Sequence, residues 1–336
     1  MRLRRVTDHP EAALTLAARG IAAQSPSPFV EPTREFDPRL SAQMALSRHL
    51  KGEASSGWIA FDDTGEGQAY VCAMLEVVDE DHPGYTYMPP RHAYVTASTW
   101  YAATAYAAEE CLPLIVERIA EDARELGIHH LIVGTRAHDW VGGAIWRQIG
   151  LKPSSIMAGR RSAPALTASI GVPIRTIQTG DEDSLYALAL EEHLYHAVHT
   201  TSGTLFPQAE EPNRRVIQSW LANQVAGTSS TYVALEPKTG ELLGSTALSI
   251  QDLPENSPGR RYLPSTYGYI GLTSVTETAR GRGIGRALTA RALVDFDERG
   301  IEHVFLHYIE DNHLSRPFWN RMSFSPIAVA LAGDVL

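Results

Sequence analysis

The stretch from Val275 to Leu288, V-T-E-T-A-R-G-R-G-I-G-R-A-L, brings three arginines and three glycines together between Arg280 and Arg286. Each of these residue types has a use at an anion. Gly281, Gly283 and Gly285 let the main chain come close to a ligand, and Arg280, Arg282 and Arg286 supply positive charge. Upstream, Tyr267–Val275 is rich in aromatic and β-branched residues, as a strand would be. Downstream, Ile284, Leu288, Ala292 and Phe296 recur on one helical face until Gly300 ends the run. A strand-to-helix turn here leaves the first N–H groups of the helix without partners inside it, beside the positive end of the helix dipole. A pyrophosphate is the natural guest of such a turn.

Spacing separates the known phosphate loops. The dinucleotide fingerprint needs a third Gly or Ala three residues after its second, but Arg286 and Leu288 stand at those places. The Gly-Lys-Ser/Thr of a P-loop is absent. What remains, Arg280-x-x-Gly283-x-Gly285, resembles the acetyl-CoA loop of the GNAT superfamily of N-acetyltransferases. A second stretch, Asn312-His-Leu-Ser315-Arg-Pro-Phe318-Trp319-Asn-Arg-Met-Ser-Phe324, resembles that family's later motif: an Asn, a small residue, an aromatic pair and a closing Phe. The two occur in the family's order.

The resemblance implies an α/β protein. In the family, the strand before the loop and the strand before the Asn splay apart, and the pantetheine arm lies between them; here these would be Tyr267–Val275 and Val304–Tyr308. It implies a cofactor site made of Arg280, Gly281, Arg282, Gly283, Ile284, Gly285 and Arg286, with Asn312, Ser315 and Trp319 beyond. A main-chain N–H at Ser274 or Val275 would meet the developing oxyanion.

Three residues are candidates for the base. Some members, the ribosomal-protein alanine acetyltransferases among them, carry a Glu five residues before the motif Asn, where this chain has His307. Imidazole, ordinarily near pKa ~6.5, suits a base at neutral pH; the alternative is a histidine that makes one hydrogen bond and no more. Histone-type members place a Glu where Tyr269 stands, and a phenol with an ordinary pKa of ~10 is a poor base. Glu310 is the third, with a solvated strand end as its alternative. The acid departs from the pattern: where many members have a Tyr, Trp319 can donate a hydrogen bond but cannot protonate a thiolate. Tyr308 or solvent could serve instead.

The acceptor side implied by the family is the first two helices and the loop between them, here His193, His196, His199 and residues 200–212, with Glu210 and Glu211 in the loop. Glu192 and His196, four residues apart on a helix, have the spacing of a metal pair. No third ligand is evident, so no metal is expected.

The same order of elements is read twice. Leu3–Val6, Asp8–Ala23 and Arg39–Leu50 read as a strand and two helices, and Gly57–Phe61 with Ala69–Val78 as a hairpin. Ala93–Thr99, a helix Leu114–Leu126, a strand His130–Thr135 and a helix Asp139–Ile149 follow. After a small-residue and proline stretch, Arg161–Pro173, the order restarts. It runs through Ile174–Ile177, Ser184–His199, Arg214–Gln224, and a hairpin of Thr231–Leu235 and Leu242–Ser249. Aligning Glu125-Leu-Gly127 with Glu298-Arg-Gly300 sets an offset of 173 residues (300 − 127), which also brings Trp146 onto Trp319 and Leu151 onto Phe324. In that register Gly283 and Gly285 fall on Glu110 and Leu112, and Arg280 and Arg282 on Ala107 and Glu109. Carboxylates would repel a pyrophosphate there.

The expected architecture is therefore two tandem GNAT folds, each a mixed, mostly antiparallel sheet flanked by helices. Residues 1–165 form a degenerate copy without a phosphate loop, and residues 170–336 the copy with the acetyl-CoA loop. This resembles tandem acetyltransferases of the mycothiol synthase kind. The expected activity is transfer of an acetyl group from acetyl-CoA to a primary amine of a small molecule. A catalytically silent acetyl-CoA-binding or scaffold protein, or acetylation of a protein or peptide amine, are the alternatives.

Composition bounds the rest. With 336 residues, 44% of them apolar, two sizeable cores are possible. A formal charge of −10 argues against a nucleic-acid surface and favours a cationic or amine-bearing partner. Cys72 and Cys111 lie far from any metal spacing and read as reduced, buried thiols. Neither a signal peptide nor a membrane span is visible, so a cytoplasmic monomer or homodimer is expected.

Overall fold

The computed structural model describes all residues except 31–35, 83, 163–170, 208 and 336, and leaves out the side chains of residues 140, 141 and 204. The first half runs β1 (Arg2–Arg5), α1 (Pro10–Ala23), α2 (Pro38–Leu46), β2 (Ser55–Phe61), β3 (Gly67–Val77), β4 (Arg91–Val95) and β5 (Trp100–Ala102). It continues through α3 (Ala105–Arg124), β6 (His130–Arg136), α4 (Trp140–Gln148) and β7 (Lys152–Arg161). The second half runs β8 (Ile174–Thr176), α5 (Glu182–His199), α6 (Glu210–Ala226), β9 (Ser229–Leu235), β10 (Leu242–Asp252) and β11 (Thr266–Val275). It ends with α7 (Ile284–Glu298), β12 (His303–Ile309), α8 (Ser315–Arg321) and β13 (Ser325–Asp334).

All strands join one mixed sheet in the order β1-β2-β3-β4-β6-β13-β7-β12-β11-β10-β9-β8, with β5 on β3. Among the described residues β4–β6 and β11–β12 are its parallel pairs. The centre of the sheet exchanges the two halves' last strands. β7, from the first half, lies against β12, and β13, from the second, lies against β6. Residues 152–161, counted with the first half from the sequence, thus sit beside the second half's strands. The sequence reading had no strand at β7 or β13; Pro153 and the serines around it break the β pattern at the start of β7.

Strand alternation gives each half two cores. In β3, Tyr70 and Cys72 meet α1 and α2, while Ala69, Val71 and Ala73 meet α3. In the second half α7 packs through Ile284, Leu288, Ala292 and Phe296 onto β11, β12 and the Trp319 of α8. Leu185, Leu188 and Ile217 of α5 and α6 cover the other face at Val233.

The repeat offset recurs in hydrogen bonds. Asp139 Oδ1 accepts the Gly142 N–H at 2.9 Å at the start of α4, and Asn312 Oδ1 accepts the Ser315 N–H at 2.9 Å at the start of α8. Leu151 donates to the Trp146 carbonyl and Phe324 to that of Trp319, each at 3.1 Å.

Three expectations need correction. The helix expected from Leu114 begins at Ala105, capped by the Thr104 hydroxyl on the Ala107 N–H, and carries Pro113 inside it. The proline removes one intrahelical donor, the one that would reach the carbonyl of exposed Glu109. The strand expected over Ala93–Thr99 breaks after Val95 into a turn and β5. Glu210 and Glu211, expected in a loop, form the first turn of α6, where they favour the helix dipole and pair with Arg214 and Arg215. The stretch 161–173 falls largely outside the described residues.

Candidate active site

Thr276 carries the chain out of β11 into the glycine loop, and α7 starts at Ile284. Gly281 and Gly283 have φ of +80° and +84°, a region that side chains other than glycine's adopt at a cost. Gly283 is the N-cap of α7, and no side chain caps the helix start. The N–H groups of its first turn therefore remain open to an acceptor. Gly285 is small for another reason: a Cβ there would stand 3.3 Å from the Phe318 ring.

The three loop arginines differ. Arg280 turns back, donating from Nε to the Val275 carbonyl at 3.3 Å and from Nη2 to Glu191 of α5 at 3.0 Å. Arg282 pairs with Glu236 at 2.9 Å, whereas Arg286 is exposed. Positive charge expected for an anion is thus partly compensated by carboxylates. These pairs are partly exposed and worth about 0–1 kcal/mol, so exchanging a carboxylate for a pyrophosphate costs little. The open helix start, the two left-handed glycines and exposed Arg286 fit such a guest.

Below the loop, β11 and β12 are in register only from Gly268–Ile270 against Val304–Leu306. β11 holds an extra residue at Gly271–Leu272 opposite Ala247 of β10, and past it the two parallel strands part. Tyr269 and His307 stand where they part, Tyr269 Oη 2.9 Å from His307 Nδ1. His307 reaches solvent inside a cavity, but the protein crowded around it displaces bulk water and holds its pKa down at about 4. The match to neutral pH expected from an ordinary imidazole does not hold; the ring is neutral well below pH 7. Burial, with a smaller effect from Tyr267, pushes the Tyr269 phenol up to about 12. One proton lies between these two neutral groups. If Nδ1–H donates to the phenol oxygen, Nε2 keeps a free lone pair; if the phenol donates, Nε2 carries the proton.

The other candidates are placed as follows. Asn312 is buried, and its Oδ1 accepts from Leu314 and Ser315, each at 2.9 Å, so it starts α8. Trp319 is buried between Phe318 and Phe324, with ring centres 4.7 and 5.4 Å away. Asn312, Ser315 and Trp319 line the same cavity as His307 and Tyr269. Ser274 is buried in β11 and Val275 half-buried. Glu310 does not line the cavity among the described residues; it is held at 2.7 Å by Arg316.

The cavity, about 830 Å³, is walled by both halves. From the first come Tyr87, Met88, His130 and Ile132, and Ser154 and Ser155 of β7. From α5 come Glu192, His193 and His196. His193 is buried, edge-on to Tyr87 at 5.1 Å, and burial lowers its pKa. His196 Nε2 is 3.5 Å from Glu192, while Glu192 Oε2, His193 Nε2 and His196 Nδ1 have no hydrogen-bond partner among the described residues. No three His, Cys, Asp or Glu side chains among them gather to hold a metal, and no helix among them is long and apolar enough to cross a membrane. The sequence reading expects the first half to shape or cover the acceptor site but names none of these wall residues: Tyr87 lies in a stretch without periodicity, and Ser154 and Ser155 fall where no element is read.

Residues 189–324 match the sequence model of the Acetyltransferase (GNAT) family, a stretch that contains the loop, the splayed strands and the cavity wall of α5. This part of the chain is a GNAT domain. A mycothiol acetyltransferase of Beutenbergia cavernae is 28% identical over 144 residues, 41% of this chain and 43% of the relative; the match thus spans less than half of that protein's length. A GCN5-related N-acetyltransferase from Sphaerobacter thermophilus superposes with TM-score 0.58 at 17% identity, covering 99% of this chain and 95% of that one. A tandem GNAT protein from the clavulanic acid biosynthesis pathway superposes with TM-score 0.52 at 16% identity, covering 100% and 99%. The GNAT fold is therefore present twice, and the whole chain has the architecture of a tandem GNAT protein.

Proposed function

We propose that the chain transfers an acetyl group from acetyl-CoA to a primary amine of a small molecule, with the reaction at the parting of β11 and β12. The observation that carries this reading is the Tyr269–His307 contact of 2.9 Å, which stands where the two strands separate and faces a cavity walled by both halves. Acetyl-CoA would supply an activated thioester, with its pyrophosphate on the main chain of Gly283–Arg286 and with Asn312, Ser315 and Trp319 along its arm. The acceptor would lie in the cavity, where Glu192 is the carboxylate and neither Lys nor Arg is present among the described lining residues. That lining favours a neutral or cationic acceptor over an anionic one.

His307, neutral at physiological pH, takes the proton that the amine nitrogen sheds once its bond to carbon forms and it becomes positive and acidic. Tyr269 holds the Nδ1 side so that Nε2 faces the cavity. Trp319 leaves the thiolate to be protonated by solvent. Several relatives carry the name mycothiol acetyltransferase, and the cavity admits a wider class of small amines than that name. A thiol-release screen over amino sugars, polyamines, amino acids and peptide N-termini should find a substrate whose turnover falls about 10²–10⁴-fold in His307→Ala, with acetyl-CoA affinity little changed. Acetyl-CoA binding without thiol release for any amine would favour the silent-binder alternative.

A further inference from the structure

We propose that the first half holds a second binding site, for a small organic carboxylate with an apolar body, centred on Arg136 at the end of β6. A cavity of about 500 Å³ lies there, between the end of α1, the turn before α3 and the start of α4. Arg136 Nη2 donates to Gln24 Oε1 at 2.6 Å, and its guanidinium carbon stands 3.2 Å from the centre of the Tyr262 ring. Its Nε and Nη1 are shut off from water and have no hydrogen-bond partner among the described residues. The carboxylate nearest in sequence that lines the cavity, Asp139, is engaged at 2.9 Å in capping α4 through the Gly142 N–H. A second cation is adjacent, since Arg261 Nε donates to the Gln24 carbonyl at 2.8 Å.

Asp139 offsets part of the Arg136 charge but Arg261 adds a second cation, so two guanidiniums face one carboxylate here, and the ring face beneath Arg136 offsets only part of the cost of its burial. An anion in the cavity would balance the charge, and a slight turn of the side chain would present the planar edge that suits a carboxylate. The remaining wall selects the ligand's body: Trp100, Tyr101, Ile145, Tyr262 and Ile327 are aromatic or aliphatic. A phosphate would have to shed more water against that wall. Acetyl-CoA is disfavoured for a separate reason. By the repeat offset, α3 starts six residues before the position of Ile284, so helix and the exposed Glu109 and Glu110 occupy the place of the phosphate loop.

The test is titration of the full-length protein with benzoate, hexanoate and inorganic phosphate, followed by saturation-transfer NMR and calorimetry. Benzoate or hexanoate should bind with a Kd of about 1 mM or below, and phosphate more weakly. Arg136→Met should weaken the carboxylate at least tenfold while leaving acetyl-CoA binding unchanged. Ala103→Trp, on the exposed rim of the cavity, should also block the carboxylate without touching Arg136, which keeps the test decisive if Arg136→Met does not fold. Absence of carboxylate binding to the wild type, tighter binding of phosphate, or undiminished binding to either variant would overturn the proposal.

Discussion

Cutting the chain between its halves tests the strand exchange, because the position of the cut decides which strands are lost. A fragment of residues 170–336 lacks β7, and with it seven residue pairs to β12 and seven to β13; β13 also loses its seven pairs to β6. Taking about 0.5–1 kcal/mol net for each pair on β12, the lost ladder is worth roughly 4–7 kcal/mol. Ile156 and Met157, buried in β7 against second-half residues, add about 2 kcal/mol each. The sum is of the same size as the whole stability of an ordinary domain, about 5–15 kcal/mol. A fragment of residues 150–336 keeps β7 between β12 and β13. We expect 150–336 to be soluble, with a cooperative thermal transition, and 170–336 to aggregate or melt without one, as followed by size-exclusion chromatography and circular dichroism. Equal melting of the two fragments would mean that β13 moves into the place of β7 beside β12, and would refute the reasoning.

Gly283→Val places a branched side chain at a φ of +84° at the start of α7, and should abolish acetyl-CoA binding measured by calorimetry while Glu110→Ala in the first half leaves it intact. The pH dependence has a definite sign: His307 and buried His49 are both held near pKa 4, below an unfolded value of ~6.5, so the unfolded chain binds their protons first. Stability is then full above about pH 6.5 and declines as pH falls toward 4, which melting temperatures across that range will show. For the same reason kcat/KM should show no inflection near pH 6.5 from His307, and should rise with pH as the acceptor ammonium loses its proton.

The loop and the motif from Asn312 were legible because their chemistry is local. Glycines at fixed spacing, a strand before and a helix after all lie within one short stretch, and the observed α7 begins at the expected Ile284. The repeat was legible for a similar reason, since helix-ending glycines and the Trp146 and Trp319 pair keep their places. What escaped is what depends on distant partners. β7 alternates poorly after Lys152-Pro153, and its pairing with β12 rather than with β6 follows from the whole sheet. The depressed pKa of His307 comes from the crowd of residues around it, and residue type alone suggests an ordinary imidazole. The pairing of Arg280 with Glu191, and of Arg282 with Glu236, joins elements 89 and 46 residues apart.

The two halves show how one scaffold yields two different cavities by few exchanges. At the repeat offset His307 corresponds to Gly134, while the strand pairing matches Tyr269 to Tyr94, since Tyr269 pairs with Phe305 and Tyr94 with Ile132, the equivalent of Phe305. In the first half a Cβ at Gly134 would stand 3.2 Å from the Ala97 nitrogen, so the chain after β4 packs close where β11 and β12 part. Trp100 Nε1 donates to the Gly134 carbonyl at 3.1 Å and fixes that closure. Further along the same strand, Ile309, on the wall of the second-half cavity, corresponds to Arg136 in the first. A neutral dyad beside a carboxylate favours an amine; two guanidiniums against one carboxylate favour an acid. His307 and Arg136 both stand on the strand that follows the long helix, whose backbone path the repeat preserves while its side chains help set the charge of the guest.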